Sequence, residues 1–135
     1  MPKTARGAFE VKLSPLSADD LGKASWGRLS IDKIYSGDLV GTAYGQMLAI
    51  RPPVAGSAGY VAVEVVHATL DGKTGSFALQ HSGVMDRGVG SLTVKVIPDS
   101  STGDLIGLRG ELAVVIENGA HYYVFDYTFA DAATG

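Results

Sequence analysis

The sequence contains no cysteine among its 135 residues. A disulfide framework, a thiol nucleophile and a metal site built on thiolates are therefore excluded. Residues 1–6 also lack the apolar segment that a signal peptide requires. Because nothing in the sequence requires an oxidising compartment, the cytoplasm is the expected location.

Blocks of one charge sign and long apolar runs are missing as well. The 11 basic and 14 acidic residues leave a net charge of −3 and are dispersed along the chain. Nucleic-acid binders and proteins that dock on anionic membranes need clustered Lys and Arg. The longest apolar stretch, Val61–Val66, is interrupted by Glu64 and is far shorter than the ~20 residues of a membrane-spanning helix. The sequence therefore predicts neither a nucleic-acid partner nor a membrane partner.

Glycine, in contrast, is abundant. The chain has 18 glycines, about 13% of its residues against an average usage of about 7%. Valine, isoleucine and threonine are also frequent, and these β-branched residues favour strands. This composition predicts an all-β fold of strands joined by tight turns. The length fits a single domain over residues 1–135.

Periodicity and turn residues predict eight strands and almost no helix. The predicted strands cover residues 5–13, 25–35, 38–50, 59–70, 74–83, 89–98, 109–117 and 121–130. The only helical signal is at 17–22, where Ser17 is a candidate N-cap and Gly22 a stop.

The connections between these strands predict a barrel. Asp71-Gly72 and Asn118-Gly119 are typical of type I′ hairpin turns, and Ser36–Asp38 is read as a third tight turn. Consecutive hairpins favour an eight-stranded antiparallel up-and-down β-barrel, because closing the sheet removes its exposed edges. The longer connections at 14–24, 51–58 and 83–88 would share one rim. We expect an apolar-lined pocket to open there.

The Asp71-Gly72 hairpin predicts that two polar residues face the barrel interior. A two-residue turn pairs positions whose numbers add to 143, and paired residues share a face. Glu64 and His81 then lie on the face of Phe77 and Leu79. As inward-facing neighbours they are candidate catalytic residues for proton transfer or for orienting a ligand carbonyl. The alternative is a structural pair in which two buried polar groups satisfy each other.

Two other hairpins supply candidate ligand contacts. The Asn118-Gly119 register turns aromatic residues of the last strand inward. In the Ser36–Asp38 hairpin, placing the charged residues outside turns Tyr44 and Gln46 inward; alternatively, the row Gly41, Ala43 and Gly45 faces inward and leaves room for a ligand. The candidate ligand-binding residues are Tyr44, Gln46, Tyr60, Phe77, Leu79, Tyr123, Phe125 and Tyr127. Their rings could equally serve only to fill the core.

No metal or nucleotide site is predicted. The hairpin registers place His67 outside the barrel and His81 and His121 inside, and their spacing matches no zinc signature. Serine hydrolase elbows, phosphate-binding loops and dinucleotide fingerprints are also missing from the sequence. We therefore expect no metal and no cofactor.

Several stretches resemble one bacterial family, the uncharacterised proteins of the DUF3224 type. The most specific is Gly75-Ser76-Phe77-Ala78-Leu79-Gln80-His81-Ser82-Gly83. The other matching stretches are 7–15, 37–41, 45–48, 59–64, 70–74, 96–105 and 121–127. The resemblance implies an antiparallel barrel similar to the allene oxide cyclases, with a cavity for a small, largely apolar molecule. It implies no reaction, because the family has no agreed function.

Three functions are compatible with these features. The first is a cofactor-free isomerase or cyclase that acts on a small hydrophobic substrate in the barrel, with Glu64 and His81 as acid–base or orienting groups. The second is a non-catalytic, lipocalin-like protein that binds an apolar ligand. The third is a filled structural barrel that works through its outer surface as a homo-oligomer.

Overall fold

The computed structural model describes residues 2–17 and 25–130. This part of the chain contains eight strands and one short 3-10 helix, Gly103–Leu105. The strands are β1 Lys3–Leu16, β2 Ser25–Gly37, β3 Leu39–Arg51, β4 Ala58–Leu70, β5 Lys73–Asp86, β6 Val89–Val96, β7 Leu108–Glu117 and β8 Ala120–Phe129. Apart from Ser17, the predicted helical turn at 17–22 lies outside the described residues. No helix in the described ranges is long and apolar enough to cross a membrane.

The strands form one closed antiparallel barrel in chain order, with β1 paired to both β2 and β8. The predicted eight-stranded up-and-down barrel is therefore confirmed. Up-and-down order places the β1–β2, β3–β4, β5–β6 and β7–β8 connections at one rim, which we name the mouth. The other three connections lie at the opposite rim, which we name the base.

Two predicted hairpin turns adopt the expected geometry. Asp71 and Gly72 have φ values of +50° and +74°, and Asn118 and Gly119 have +51° and +80°. Positive φ at both central residues defines a type I′ turn, which asparagine, aspartate and glycine tolerate. The β4–β5 register follows from this turn, with Leu70 opposite Lys73 and Glu64 opposite Leu79.

The predicted long connection at 83–88 is wrong, because β5 continues through Asp86 and a tight turn follows. Arg87 and Gly88 occupy that turn with φ values of +47° and +91°. Arginine is not a typical residue for a left-handed conformation, so the sequence carried no clear turn signal at this point.

The predicted inward orientation of Tyr44 and Gln46 is also wrong. Five residues separate the paired positions Tyr35 and Gly41, and Gly37 has a φ of +97° within this connection. An odd connection reverses the face of β3 relative to a two-residue turn. Tyr44 therefore lies opposite Asp32 on the outer surface and is 57% exposed. The alternative orientation is observed, with Gly41, Ala43 and Gly45 on the inner face of β3.

The interior is filled by side chains in the half of the barrel nearer the base. Phe77 and Phe125 stack with ring centroids 6.0 Å apart, and Tyr35 meets Tyr123 edge-on at 5.7 Å. Burying one side chain of this size stabilises the fold by about 1.5–3 kcal/mol. The β6–β7 connection closes the base, where Leu105 of the 3-10 helix is fully buried.

Candidate functional site

Glu64 is the centre of a polar cluster inside the barrel. Its carboxylate is fully buried on the inner face of β4. Gly45 lies directly opposite on β3. A Cβ atom at position 45 would overlap the Val63 carbonyl oxygen and crowd the Glu64 Cβ, so only glycine allows the two strands to approach here without displacing Glu64.

Three side chains from two other strands donate hydrogen bonds to this carboxylate. Lys33 Nζ lies 2.8 Å from Oε1, and His81 Nε2 lies 2.6 Å from the same oxygen. The Tyr35 hydroxyl donates to Oε2 at 3.1 Å. We name these four residues the Glu64 cluster. Glu64, Lys33 and His81 bring together β4, β2 and β5, whose residues are far apart in the sequence.

The protonation of the cluster follows from its surroundings. Burial alone would raise the pKa of Glu64, but the hydrogen bonds from His81 and Lys33, together with the charge of Lys33, outweigh burial and lower it. The carboxylate is therefore ionised at neutral pH. Burial and the Glu64 charge raise the pKa of Tyr35, so its hydroxyl stays protonated and acts as a donor.

Lys33 is held by more than its partner carboxylate. Its ammonium group lies 4.8 Å from the centroid of the Phe9 ring, within the range of a cation–π contact. Only 7% of the side-chain surface of Lys33 and of His81 remains exposed, whereas the Glu64 side chain has none. Lys33 and His81 thus cover the carboxylate, and their side chains keep the small exposed fraction of the ion pairs.

The wall of the barrel between the Glu64 cluster and the mouth is built of small residues. The registers place six of them on the inner face: Gly27, Gly45, Ala49, Ala62, Gly83 and Gly90. Larger inner-face residues in this half, including Leu29 and Met47, are only partly buried. The inner face of the mouth half therefore carries smaller and less buried side chains than that of the base half.

Tyr60 connects the rim with the Glu64 cluster. Its ring lies over Gly83, where a Cβ atom would collide with it. A hollow of about 330 Å³ at the rim is lined by Tyr60, Gly83, Met85 and Leu92, among others. Burial, and then the charge of Glu64, raises the pKa of Tyr60, so this hydroxyl lies within electrostatic reach of the cluster. This hollow lies on the β4, β5 and β6 side of the mouth. The predicted pocket between the connections 14–24, 51–58 and 83–88 stays a prediction, because residues 18–24 lie outside the described residues.

Tyr44 and Gln46 lie on the outer surface, and the other predicted site residues separate into three places. Glu64 and His81 face inward and contact each other, as the β4–β5 parity predicted; their catalytic role stays a prediction. Tyr60 lines the mouth half. Buried in the base half are Phe77, Leu79, Tyr123, Phe125 and Tyr127.

Tyr123 has structural partners in that buried position. Its hydroxyl donates to the Ser36 carbonyl at 2.8 Å and accepts from the Leu39 N–H at 2.8 Å. These bonds fasten β8 to the β2–β3 connection at the base. The ring and the hydroxyl thus both have partners within the fold.

Sequence reasoning missed Lys33 and Tyr35. Both lie on the same face of β2 as Leu29 and Ile31, which were predicted to face inward. This alternation along the strand was the available signal. That signal was overlooked because lysine is almost never fully buried unless it is paired. Its partner, Glu64, lies two strands away. Among the described residues, no group of three or more His, Cys, Asp or Glu could hold a metal ion.

Comparison with known proteins identifies the family. The sequence matches the family described as "Protein of unknown function (DUF3224)" over residues 5–127. No curated protein matches it. A crystal structure of a DUF3224 protein of unknown function from Shewanella oneidensis MR-1 is similar, with 42% sequence identity and a TM-score of 0.94. The similarity covers 98% of this chain and 100% of that one. The chain therefore belongs to the DUF3224 family.

Proposed function

We propose that the protein binds a small molecule in the mouth half of the barrel, with an apolar body against the wall and an oxygen acceptor at the Glu64 cluster. The observation that carries this proposal is the burial of Lys33 and His81 around one carboxylate in an otherwise apolar interior. The wall of small residues and the rim hollow of about 330 Å³ supply space of the order of known ligand pockets, about 300–1,000 Å³.

Fold stability alone does not call for such a cluster. Transferring an ion pair from water into a protein costs several kcal/mol per ion, and apolar replacements of similar volume are often as stable or more stable. The cluster therefore suits a role that apolar residues cannot fill. A buried site with fixed donors that binds a polar ligand group is such a role.

The charge of the cluster favours an oxygen acceptor over a cation. Lys33 carries three N–H donors, and its ammonium group balances the Glu64 carboxylate. With a neutral His81 the cluster has no net charge; with a protonated His81 it is positive. A carboxylate or carbonyl oxygen would therefore be attracted, whereas an ammonium group would compete with Lys33 for Glu64.

A series of eight-carbon probes tests this proposal directly. Octanoate, octanamide and octylammonium have similar apolar chains and differ in the head group. We expect octanoate and octanamide to shift the NMR signals of Tyr60 and His81 and to give measurable affinities by calorimetry. Equal or tighter binding of octylammonium, or no binding of any of the three, would contradict the proposal.

Matched variants locate the binding site. Lys33→Met should weaken octanoate binding by about 10- to 100-fold, the effect of losing a hydrogen bond to a charged group. Because Lys33→Met leaves Glu64 without its cation, the double variant Lys33→Met/Glu64→Gln provides a neutral, better balanced background. Glu111→Gln removes a carboxylate on the outer surface and should leave binding unchanged.

A second candidate function is cofactor-free proton transfer to and from a bound carbonyl compound, as an isomerase or cyclase would carry out. The 2.6 Å contact between His81 and Glu64 favours it, because a carboxylate that accepts from one ring nitrogen orients the ring and leaves the other nitrogen as the proton acceptor. His81 Nδ1 would take a proton from the carbon next to the carbonyl, and Lys33 would stabilise the resulting enolate oxygen.

Deuterium exchange separates this candidate from simple binding. In D₂O, the protein should accelerate the loss of the ¹H signals next to the carbonyl of 2-octanone. Glu64→Gln should abolish the acceleration, and Glu111→Gln should retain it. Binding of 2-octanone without accelerated exchange would leave the protein as a binding module.

A further inference from the structure

The outer surface of three adjacent strands carries a single charged side chain, Asp86 at the end of β5. On β3, β4 and β5, all described, the outward positions from Val40 to Val84 contain no Asp, Glu, Lys or Arg. Every other strand has at least one outward charge: for example Glu10 on β1, Asp32 on β2, Lys95 on β6, Glu111 on β7 and Asp126 on β8. The charge-free surface therefore covers one side of the barrel.

Apolar side chains dominate this surface toward the mouth. Val61, Val63 and Val65 follow one another along the outside of β4 and are 46–53% exposed. On β3, Tyr44 lies opposite Val65 and Leu48 lies opposite Val61, and on β5 Val84 is exposed beside them. We name these six residues the valine face. The uncharged polar residues Gln46 and Gln80 flank Val63 on β3 and β5. Exposed apolar patches rimmed by polar residues mark interaction surfaces.

We propose that the valine face joins two copies of this chain in a symmetric homodimer. In a two-fold interface, residues near the axis meet their own copies, so a charged residue there would face a like charge. A charge-free face satisfies this condition. A different protein partner would be selected and steered by complementary charges of one sign, whereas the charges beside this face, Arg28 and Asp32 on β2, lie at its edge and have opposite signs.

The geometry of the barrel also favours a second copy of this chain as the partner at the valine face. A closed barrel has no free strand edge, so association by adding a strand is not available. Two sheet faces can instead stack about 10 Å apart with interdigitating side chains. The whole charge-free surface, three strands at ~4.8 Å spacing over about ten residues at ~3.3 Å each, spans roughly 500 Å² in projection, and the valine face is about half of it. With side-chain relief, the area of the whole surface approaches the ~800 Å² per partner of a standard interface.

Light scattering on the full chain tests the proposal. We expect a dimer that dissociates on dilution. Val63→Lys places a charge at the centre of the face and should weaken self-association by about 100-fold or more, because it brings like charges together across the axis. Val115→Lys makes the same change on the outer face of β7 and should leave the dimer intact.

Disulfide trapping supplies a second measurement that does not depend on the lysine variant. The chain has no cysteine, so Val61→Cys, Val63→Cys and Val65→Cys each introduce a single thiol. At least one of the three should cross-link on mild oxidation, because residues next to a two-fold axis lie within disulfide range of their copies. Val115→Cys should stay monomeric on a non-reducing gel.

Three results would overturn the proposal. The first is a monomer at every concentration, and the second is a dimer that Val63→Lys leaves unchanged. The third is a monomer that binds vesicles of neutral lipid and loses this binding in Val63→Lys. The valine face would then be a membrane contact. Circular dichroism of each variant confirms that the barrel is folded before these results are compared.

Discussion

At the scale of single residues, the central feature is a buried carboxylate held by three donors. Glu64 accepts from Lys33, Tyr35 and His81. Each bond to the charged group is stronger than a neutral hydrogen bond, and the low dielectric of the interior strengthens all of them. The same low dielectric makes removal of one partner costly, because the others are left buried and uncompensated.

Glu64→Gln should destabilise the protein by about 3–5 kcal/mol at pH 7, because it leaves the Lys33 charge buried without its anion. The pKa of Glu64 is lower in the folded protein than its ordinary value of 4.5. Its ionised form therefore stabilises the fold above about pH 4.5, and this contribution is lost as the pH falls through the folded pKa.

Urea unfolding at several pH values measures this effect. The difference in the free energy of unfolding between wild type and Glu64→Gln should be largest near neutral pH and should shrink below pH 4.5. The surface variant Glu111→Gln should stay within about 0.5 kcal/mol of wild type. A difference that does not change with pH would contradict the assignment of the charge to Glu64.

Gly45→Ala should destabilise the barrel by about 1–3 kcal/mol, because the added Cβ overlaps the Val63 carbonyl and forces backbone shifts. It should also disturb the Glu64 cluster, which NMR of the His81 ring would detect. Gly59→Ala is the matched control on β4, since its Cβ would meet only the Gly83 carbonyl oxygen at 4.0 Å. Equal stability of the two variants would contradict this role of Gly45.

At the scale of elements, the two ends of the barrel are built differently. The base is closed by the β6–β7 connection, where the Thr102 N–H donates to the Ser76 carbonyl at 2.8 Å and the Ile97 N–H donates to the Ala78 carbonyl at 2.9 Å. The Glu64 cluster lies between this closed end and the mouth. The position of the cluster therefore depends on a closed base below it.

Leu105→Ala should destabilise the protein by about 2–5 kcal/mol, because it removes a fully buried side chain that fills the base. The next residue provides the control: Ile106 is 63% exposed, so Ile106→Ala should change stability by less than about 0.5 kcal/mol. Thermal or urea unfolding of both variants measures the contrast. Similar losses for the two would mean that the 3-10 helix does not close the base.

At the scale of the whole molecule, every strand is hydrogen-bonded to two neighbours. No strand of such a closed sheet can leave without breaking pairs on both sides, so opening at one point removes support from the rest. Trp26 lies on β2 near the mouth, whereas the stacked pair of Phe77 and Phe125 lies near the base. Trp26 fluorescence therefore reports on the mouth, whereas far-ultraviolet circular dichroism reports on all the strands together.

We expect unfolding to be a single cooperative transition. The urea midpoint from Trp26 fluorescence should coincide with the midpoint from far-ultraviolet circular dichroism. If the valine face forms a dimer, both midpoints should rise together with protein concentration. A fluorescence transition that precedes the circular dichroism transition would show that the mouth opens independently.

The amino-acid sequence alone determined the features that depend on neighbouring residues along the chain. Strand composition and turn residues predicted eight antiparallel strands. The Asp71-Gly72 turn set the parity that places Glu64 and His81 on the inner face. A hairpin register is local, because the turn and the alternation of side chains decide it together.

The tertiary structure decided what depends on distant strands. Lys33 on β2 reaches Glu64 on β4 because β3 between them presents the small residues Gly41, Ala43 and Gly45 to the interior at that level. That orientation of β3 rests on an odd connection whose length the sequence did not mark. A contact across an intervening strand requires that the barrel closes and that the side chains of that strand are small. Neither condition can be read from a single hairpin.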